Sequence, residues 1–358
     1  MPIPIHDPLA PPMPSTALHA RRVIRVTGRV ARMRALTHDT YELVVASVAG
    51  SPRLLARAGQ FVTLAVAGVG QPRPYSFARD PLSEIPGQYT FFIRRVPGGE
   101  MSTWLAARDR TGTPIELTGP LGSFILDDGT LPMLLVAGGS GMSAVKALIE
   151  EACRRQLARD CLFLYGARAR ADLYAEEEIA ALAAHWPRGQ HFRFVKVLSE
   201  EPGDSPWAGA RGLVTDHLRT HILTREPWRA GQFKAWLCGP PPMVEAGCAV
   251  LRDSGVRPAD IQRDVFSDLR SPAPIIDNHK CTLCDECLLV RPVVGCIVET
   301  SAVERAANGS VQGYTPITPA QTAGLYYNGL VIDESRCIRC YACLKACPHD
   351  AISVAPAV

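Results

Sequence analysis

The stretch at residues 337–348, CIRCYACLKACP, constrains this chain more than any other. Cys337, Cys340 and Cys343 recur at every third position, and Cys347 follows four residues later with Pro348 behind it. A tight loop carrying three thiolates at this spacing can wrap one face of an iron-sulfur cube, while the fourth cysteine is thrown outward. A second set stands upstream at Cys281, Cys284, Cys287 and Cys296, so eight of the twelve cysteines fall in the last quarter of the chain. Zinc also takes four thiolates, but it leaves a third cysteine at spacing three without a role. The rest of the chain is therefore expected to feed or drain iron-sulfur clusters.

A chain of 358 residues with 47% apolar and 20% charged side chains has room for two or three ordinary globular domains. Its 38 basic and 35 acidic side chains leave a net charge of +3, with no run of like charge that would suit nucleic acid. No nucleic-acid partner is expected. The Pro-rich start MPIPIHDPLAPPMP lacks the basic and apolar regions of a secretory signal. No run approaches the roughly 18–20 apolar residues of a membrane span. The thiols are accordingly expected in the reducing cytoplasm, where clustered cysteines signal metal more often than disulfide.

The expected architecture is multidomain. Residues 1–20 carry six prolines and read as a flexible tail. Over 21–128, the runs RRVIRVTGRVARM, TYELVVA, QFVTLAVA, QYTFFIRRV and TPIELTG alternate with turns and no helical period, which predicts an antiparallel β-barrel. Over 129–268, the buried-strand runs LPMLLVA, CLFLYG, FRFVKVLS, FKAWLC and IQRDVF alternate with helical stretches, predicting an α/β domain with a parallel sheet covered on both faces. The Pro-containing segment 269–278 reads as a linker, and 279–358 as a small α+β iron-sulfur domain. Between its cysteine sets, ERAANGSVQGYTPITPAQTAGLYYNG reads as a loop-like excursion. Cys153, Cys161 and Cys248 are expected to be buried, small apolar side chains.

Four motifs outside the cysteine region carry recognisable chemistry. RPYSFARD begins at Arg73: Arg73 offers a forked cation to phosphate, Tyr75 a flat amphipathic face, and Ser76 a hydroxyl. GGEMSTWL follows at Gly98 and suits a phosphate held by free backbone N–H groups. Gly138, Gly139, Ser140 and Gly141 lie where a strand meets a helix, a place where a glycine turn lets backbone approach a pyrophosphate. CGPPPMV begins at Cys238 after a buried strand and opens a helix on prolines, which suit a first turn.

In this order, on a barrel followed by a parallel sheet, these motifs resemble the ferredoxin-NADP reductase family over roughly residues 21–268. The resemblance implies an FAD site, favoured over the FMN of some phthalate dioxygenase reductase relatives. Its residues are Arg73, Pro74, Tyr75, Ser76, Arg94, Gly99, Met101, Ser102 and Thr103, with Phe266 near the flavin. It implies a nicotinamide site at Gly138, Gly139, Ser140, Gly141, Arg168, Asp172, Cys238, Gly239 and Pro240. There Cys238 stands beside the nicotinamide where hydride passes, and Ser76 faces flavin N5. Position 143 is Ser where the family usually has Pro. With Arg168, Arg170 and Asp172 all present, the choice between NADH and NADPH stays open, although the YGAR form looks more like NADH-using reductases of aromatic oxygenases.

The remainder, roughly 273–358, resembles bacterial two-cluster ferredoxins, in which the fourth cysteine of each motif serves the other cube. That implies one 4Fe-4S cluster on Cys281, Cys284, Cys287 and Cys347, and another on Cys337, Cys340, Cys343 and Cys296. Eight residues separate Cys287 from Cys296 where three are usual, so a 3Fe-4S centre stays open for the latter set. Together the resemblances imply a reductase passing electrons from NADH through FAD and two clusters to a protein partner, a terminal oxygenase or hydroxylase. A fixed electron-transfer subunit of a larger complex, clusters that reduce NAD(P)+, and a redox sensor are the alternatives.

Overall fold

The computed structural model describes residues 23–224, 228, 231–266, 272–305, 311–317 and 329–354. The expected N-terminal tail lies outside them.

The first unit is built from β1 (Ile24–Ala35), β2 (Thr40–Ser47), β3 (Phe61–Val66), β4 (Val69–Ser76), β5 (Gln88–Arg94), the short helix α1 (Glu100–Ala106) and β6 (Pro114–Leu121). The six strands form an antiparallel sheet in the order β4-β3-β6-β1-β2-β5, and a bridge between Phe77 and Phe91 curls one edge toward the other. Val26, Val30, Leu43, Val45, Leu64, Phe77 and Phe91 fill its interior. Sequence patterning does not single out β4 as a strand, because Pro72 and Pro74 interrupt it. Proline is tolerated there because β4 is an edge, with N–H groups on one side that no neighbour requires.

The second unit comprises β7 (Met133–Gly138), α2 (Met142–Arg154), β8 (Cys161–Ala167), α3 (Glu176–Ala184), β9 (Phe192–Leu198), β10 (Ala210–Arg211), α4 (Val214–His217), β11 (Lys234–Gly239), α5 (Pro241–Asp253) and β12 (Ile261–Val265). Its parallel sheet runs β10-β9-β8-β7-β11-β12. Residues of α2 and α3 pack on one face, and residues of α4 and α5 on the other. Strands β7, β8 and β11 are buried on both sides, which is why they read as uninterrupted apolar runs. The first strand, β7, lies between β8 and β11, so the winding direction reverses there and a crevice opens at the strand ends. Cys161 and Cys248 are buried as expected, but Cys153 is only half-buried, with its Sγ 3.6 Å from the Leu182 carbonyl oxygen.

A polar seam joins these two units. Lys146 on α2 is fully buried and places its Nζ 2.7 Å from Glu150, 2.8 Å from Glu178 and 3.2 Å from the Ala78 carbonyl at the end of the barrel. Glu150 in turn accepts from the Asp80 backbone N–H, and Arg57 of the barrel pairs with Glu151 at 2.9 Å.

The third unit holds β13 (Pro274–Ile276), α6 (Glu286–Leu289), β14 (Ile297–Arg305), β15 (Val311–Pro316), β16 (Gly329–Ile332), α7 (Ala342–Ala346) and β17 (Ile352–Val354). Two expectations need correction here. Residues 274–276, read as linker, pair antiparallel with β17 and belong to this unit. The supposed loop, residues 304–329, contributes β15 to a three-stranded antiparallel sheet, β15-β14-β16, whose other strands flank it. A mostly exposed hairpin has no buried face to impose apolar alternation, so its sequence looked irregular.

Candidate functional site

The crevice at the β7/β11 reversal opens between barrel and sheet and spans about 740 Å³, part of it open to solvent. Arg94, Gly138, Gly139, Arg168, Asp172 and Pro240, all expected at a cofactor, line it. The glycine turn is enforced by contact: a Cβ on Gly141 would lie 2.1 Å from the Cys238 carbonyl oxygen, and one on Gly138 would lie 2.3 Å from the Met243 sulfur. The two strand-to-helix turns thus abut backbone to backbone, leaving the cradle that a dinucleotide pyrophosphate requires. Arg94, at the end of β5, lines this crevice; its Nε donates to Asp39 at 2.9 Å and its Nη1 faces Gly139. Ser140, Gly141, Cys238 and Gly239 stand behind the lining.

Cys238 does not present its thiol to the crevice. It is fully buried in β11, in the core cluster with Phe92, Tyr165 and Trp236 against which Phe266 packs. Burial first, and then the Asp264 carboxylate, push this thiol well above its ordinary range, with Lys345 pulling the other way. It therefore stays neutral, and its contribution is to shape and pack the turn before Gly239.

Arg73, Pro74, Tyr75 and Ser76 occupy the last half of β4, against which α1 packs. Ser76 is buried and stands opposite Phe61 in register. Tyr75 is held above its usual range by burial, with the neighbouring Arg73 opposing. Gly99 precedes α1 and Thr103 is exposed, while Met101 is buried. Ser102 is engaged within its own loop: its Oγ accepts from the Val96 N–H at 3.1 Å and donates to the Gly99 carbonyl at 3.3 Å. The hydroxyl fixes the turn, so any phosphate here would be met by backbone N–H groups, Arg73 and the exposed Thr103. A strand of Arg, Tyr and Ser beside such a turn is a donor set that suits a flavin and its diphosphate.

The cysteine loops share one backbone conformation. In the upstream triplet Leu283 and Asp285 take φ of 57° and 63°; in the downstream triplet Arg339 and Tyr341 take 57° and 53°. Both pairs flank the middle cysteine, and four non-glycine residues in this left-handed region persist only where the surroundings dictate it. Cys281, Cys284, Cys287 and Cys347 line one pocket with Ile276, Leu330 and Ile352. Cys296, Cys337, Cys340 and Cys343 crowd a second site. Burial, reinforced by neighbouring thiols, pushes Cys287 and Cys340 up to about 12 and Cys296 up to about 11. As thiolates these groups demand a cation.

Sequence comparison agrees with this geometry. Residues 27–125 match the family described as an oxidoreductase FAD-binding domain, residues 135–249 an oxidoreductase NAD-binding domain, and residues 330–353 a 4Fe-4S binding domain. The reductase subunit of an aromatic O-demethylase from an Amycolatopsis species is 35% identical over 252 residues, covering 68% of this chain and 69% of the relative. The chain belongs to the ferredoxin-reductase family. The electron transfer component of a xylene/toluene monooxygenase from Pseudomonas putida is 36% identical, covering 65% of this chain and 63% of that protein, so the chain spans just under two thirds of its length. Among solved structures, an Amycolatopsis cytochrome P450 reductase superposes with a TM-score of 0.59 at 33% identity, over 68% of this chain and 70% of that one.

Three features of this reductase-family chain escaped sequence reasoning. Asp39, in the turn between β1 and β2, pairs with Arg94 on the neighbouring strand β5 and lies 3.5 Å from Arg168 of the nucleotide unit, which also pairs with Asp172 at 3.1 Å. Burial alone would raise the Asp39 carboxyl, but hydrogen bonds from Arg94, Thr40 and Thr37 and the Arg94 charge outweigh it and hold the group below its ordinary range. Tyr174 donates to the Gly139 carbonyl at 3.0 Å, bracing the glycine turn. Lys345 on α7 pairs with Asp264 on β12 at 2.7 Å, tying the iron-sulfur unit to the nucleotide sheet. No short pattern marks any of the three, because each partner lies on a distant segment. Among the described residues, no helix is long and apolar enough to cross a membrane.

Proposed function

We propose that the chain takes hydride from NADH and delivers its electrons singly, through two 4Fe-4S clusters, to a separate protein acceptor, a terminal oxygenase component. The observation that carries this reading is the repeated left-handed pattern in the two cysteine triplets, which gives the upstream loop the same shape as the loop that matches a 4Fe-4S domain. Two relatives, the electron transfer components of a xylene/toluene monooxygenase and of a toluate 1,2-dioxygenase, supply the acceptor class. A bound flavin supplies the exchange between an electron pair and single electrons.

The chain's own residues hold and orient. Arg73 and the backbone before α1 bind phosphate; Tyr75 covers the ring system; Ser76 offers its hydroxyl near the reacting nitrogen. The turn of Gly138, Gly139, Ser140 and Gly141, braced by Tyr174, receives the pyrophosphate, and the Cys238-Gly239-Pro240 turn closes the nicotinamide end. Asp172 and Asp39 suit a ribose 2′-hydroxyl, and Arg168, held by both carboxylates, has little left for a 2′-phosphate. NADPH is thus expected to show a kcat/KM about 10- to 100-fold below NADH, as two facing carboxylates repel the extra phosphate. Asp39→Ala/Asp172→Ala should narrow that ratio in steady-state assays with both nucleotides. An unchanged ratio would assign discrimination elsewhere.

The decisive experiment is anaerobic titration with NADH and NADPH, following flavin bleaching and the EPR signals of reduced clusters together. NADH should bleach the flavin and reduce two clusters; one cluster, or none, would sink the reading. Cys238→Ala is expected to slow flavin reduction about 10- to 100-fold through a misplaced nicotinamide, with FAD and iron contents intact. Loss of FAD from this variant would mean that Cys238 serves the fold alone. Co-purification in a fixed stoichiometric complex would instead identify a permanent subunit of a larger reductase.

A further inference from the structure

The iron-sulfur unit meets the rest of the molecule through residues 335–345 and through Val290, which follows α6. Ala342 and Cys340 pack with Phe61 and Leu121 of the barrel, and Phe61 is the register partner of Ser76. Ser335 accepts through its carbonyl from Gln71 Nε2 at 2.9 Å, two residues before Arg73. Lys345 pairs with Asp264, the register partner of Cys238. Contacts within residues 335–345 thus reach both strands that carry the expected hydride-transfer residues. The upstream triplet is packed differently: its pocket is lined by Ile276, Leu330 and Ile352 of its own unit, and Cys284 is exposed.

We propose that the relay has a fixed order. Electrons enter at the set of Cys337, Cys340, Cys343 and Cys296 and leave from the set of Cys281, Cys284, Cys287 and Cys347, with the Lys345–Asp264 pair holding the entry set against the hydride-transfer site. This rests on the function proposed above. Each NADH gives up two electrons and becomes NAD+ with release of one proton; the electrons cross the seam one at a time, each reducing the entry cluster before passing to the exit cluster and the acceptor. Electron tunnelling falls off exponentially with distance, so the set packed against the Ser76 and Cys238 strands receives the electron first. The ion pair is well placed as a latch, since its side chains are only 23% and 7% exposed. Lys345 is thereby a positioning residue.

Two arms test this on the anaerobic holoprotein. In the first, Lys345→Glu sets like charges face to face, and Lys345→Glu/Asp264→Lys restores the pair in reverse. Rapid mixing with NADH is expected to show the ratio of cluster reduction rate to flavin reduction rate falling about tenfold or more in the single variant, and recovering in the double. Hydrogen exchange at residues 261–265 and 335–345 should rise and fall in parallel. Unchanged ratios and exchange in the single variant, or a double variant as slow as the single, would overturn the latch. In the second arm, freeze-quench EPR after NADH is expected to find the surviving cluster reduced in Cys284→Ala and still oxidised in Cys340→Ala. The opposite pattern, or reduction in both, would overturn the order. Should NADH bleach the flavin of the unaltered protein without reducing either cluster, the function itself fails and the order falls with it, an outcome distinct from all the others.

Discussion

Replacing Lys146 with methionine is expected to destabilise the nucleotide domain by about 3–5 kcal/mol, lowering its thermal midpoint by roughly 6–20 °C. The Lys146 ammonium is wholly buried, and three acceptors converge on it: Glu150, Glu178 and the Ala78 carbonyl. Methionine fills similar volume but leaves Glu150, itself only 8% exposed, without its nearest cation. Unpairing a buried carboxylate carries its desolvation penalty in full. Thermal unfolding followed by tryptophan fluorescence reports the change, since Trp186 and Trp236 are buried in this domain. Lys146→Met/Glu150→Gln is expected to recover part of the loss, because it removes the stranded charge along with its partner. The pH dependence has a definite sign. Burial would raise Glu178, but Lys146 outweighs it and holds the carboxyl below its ordinary value. Its contribution is therefore present above the unfolded carboxylate pKa and is lost as pH falls through the lower folded value. In Lys146→Met that part of the acid sensitivity should disappear.

Gly141→Ala is expected to abolish productive pairing with NADH while sparing FAD. The added methyl would stand 2.1 Å from the Cys238 carbonyl oxygen, 2.5 Å from its carbon and 2.9 Å from the Gly239 Cα. All three are backbone atoms, so no rotamer change relieves the clash and the two turns must part. Overpacking of this kind costs about 1–3 kcal/mol, and a displacement near 1 Å at a reacting centre lowers rate by about 10²-fold. Flavin reduction by NADH in rapid mixing, alongside FAD content, checks this. A variant with wild-type reduction rate would show that the two turns move apart freely and do not define the cradle.

How far the sequence alone reaches can be seen residue by residue. The cysteine triplets were legible because cluster ligation fixes spacing directly along the chain. Buried parallel strands were legible because burial on both faces leaves an unbroken apolar run. β4 was harder, since Pro72 and Pro74 mask a strand that survives only at an edge. The hairpin between the cysteine sets was read as a loop, for it buries too little to show a period. Arg94, expected at the flavin, turns its side chain toward Asp39 and the glycine turn, a placement no local motif marks. Cys238 was placed beside a nicotinamide, yet its thiol points into the core.

The order of the motifs and the ligand spacing were enough to determine the family, the cofactor classes and the expectation that iron-sulfur groups end the path, since each depends on residues close together in the chain. Which surface of the iron-sulfur unit packs against the barrel and the nucleotide sheet was decided only in three dimensions. Asp264 and Lys345 stand 81 positions apart, as do no two members of any one motif, and Gln71 and Ser335 stand 264 apart. Contacts at such separations are set by how finished domains pack, and packing leaves no periodic trace in a single sequence.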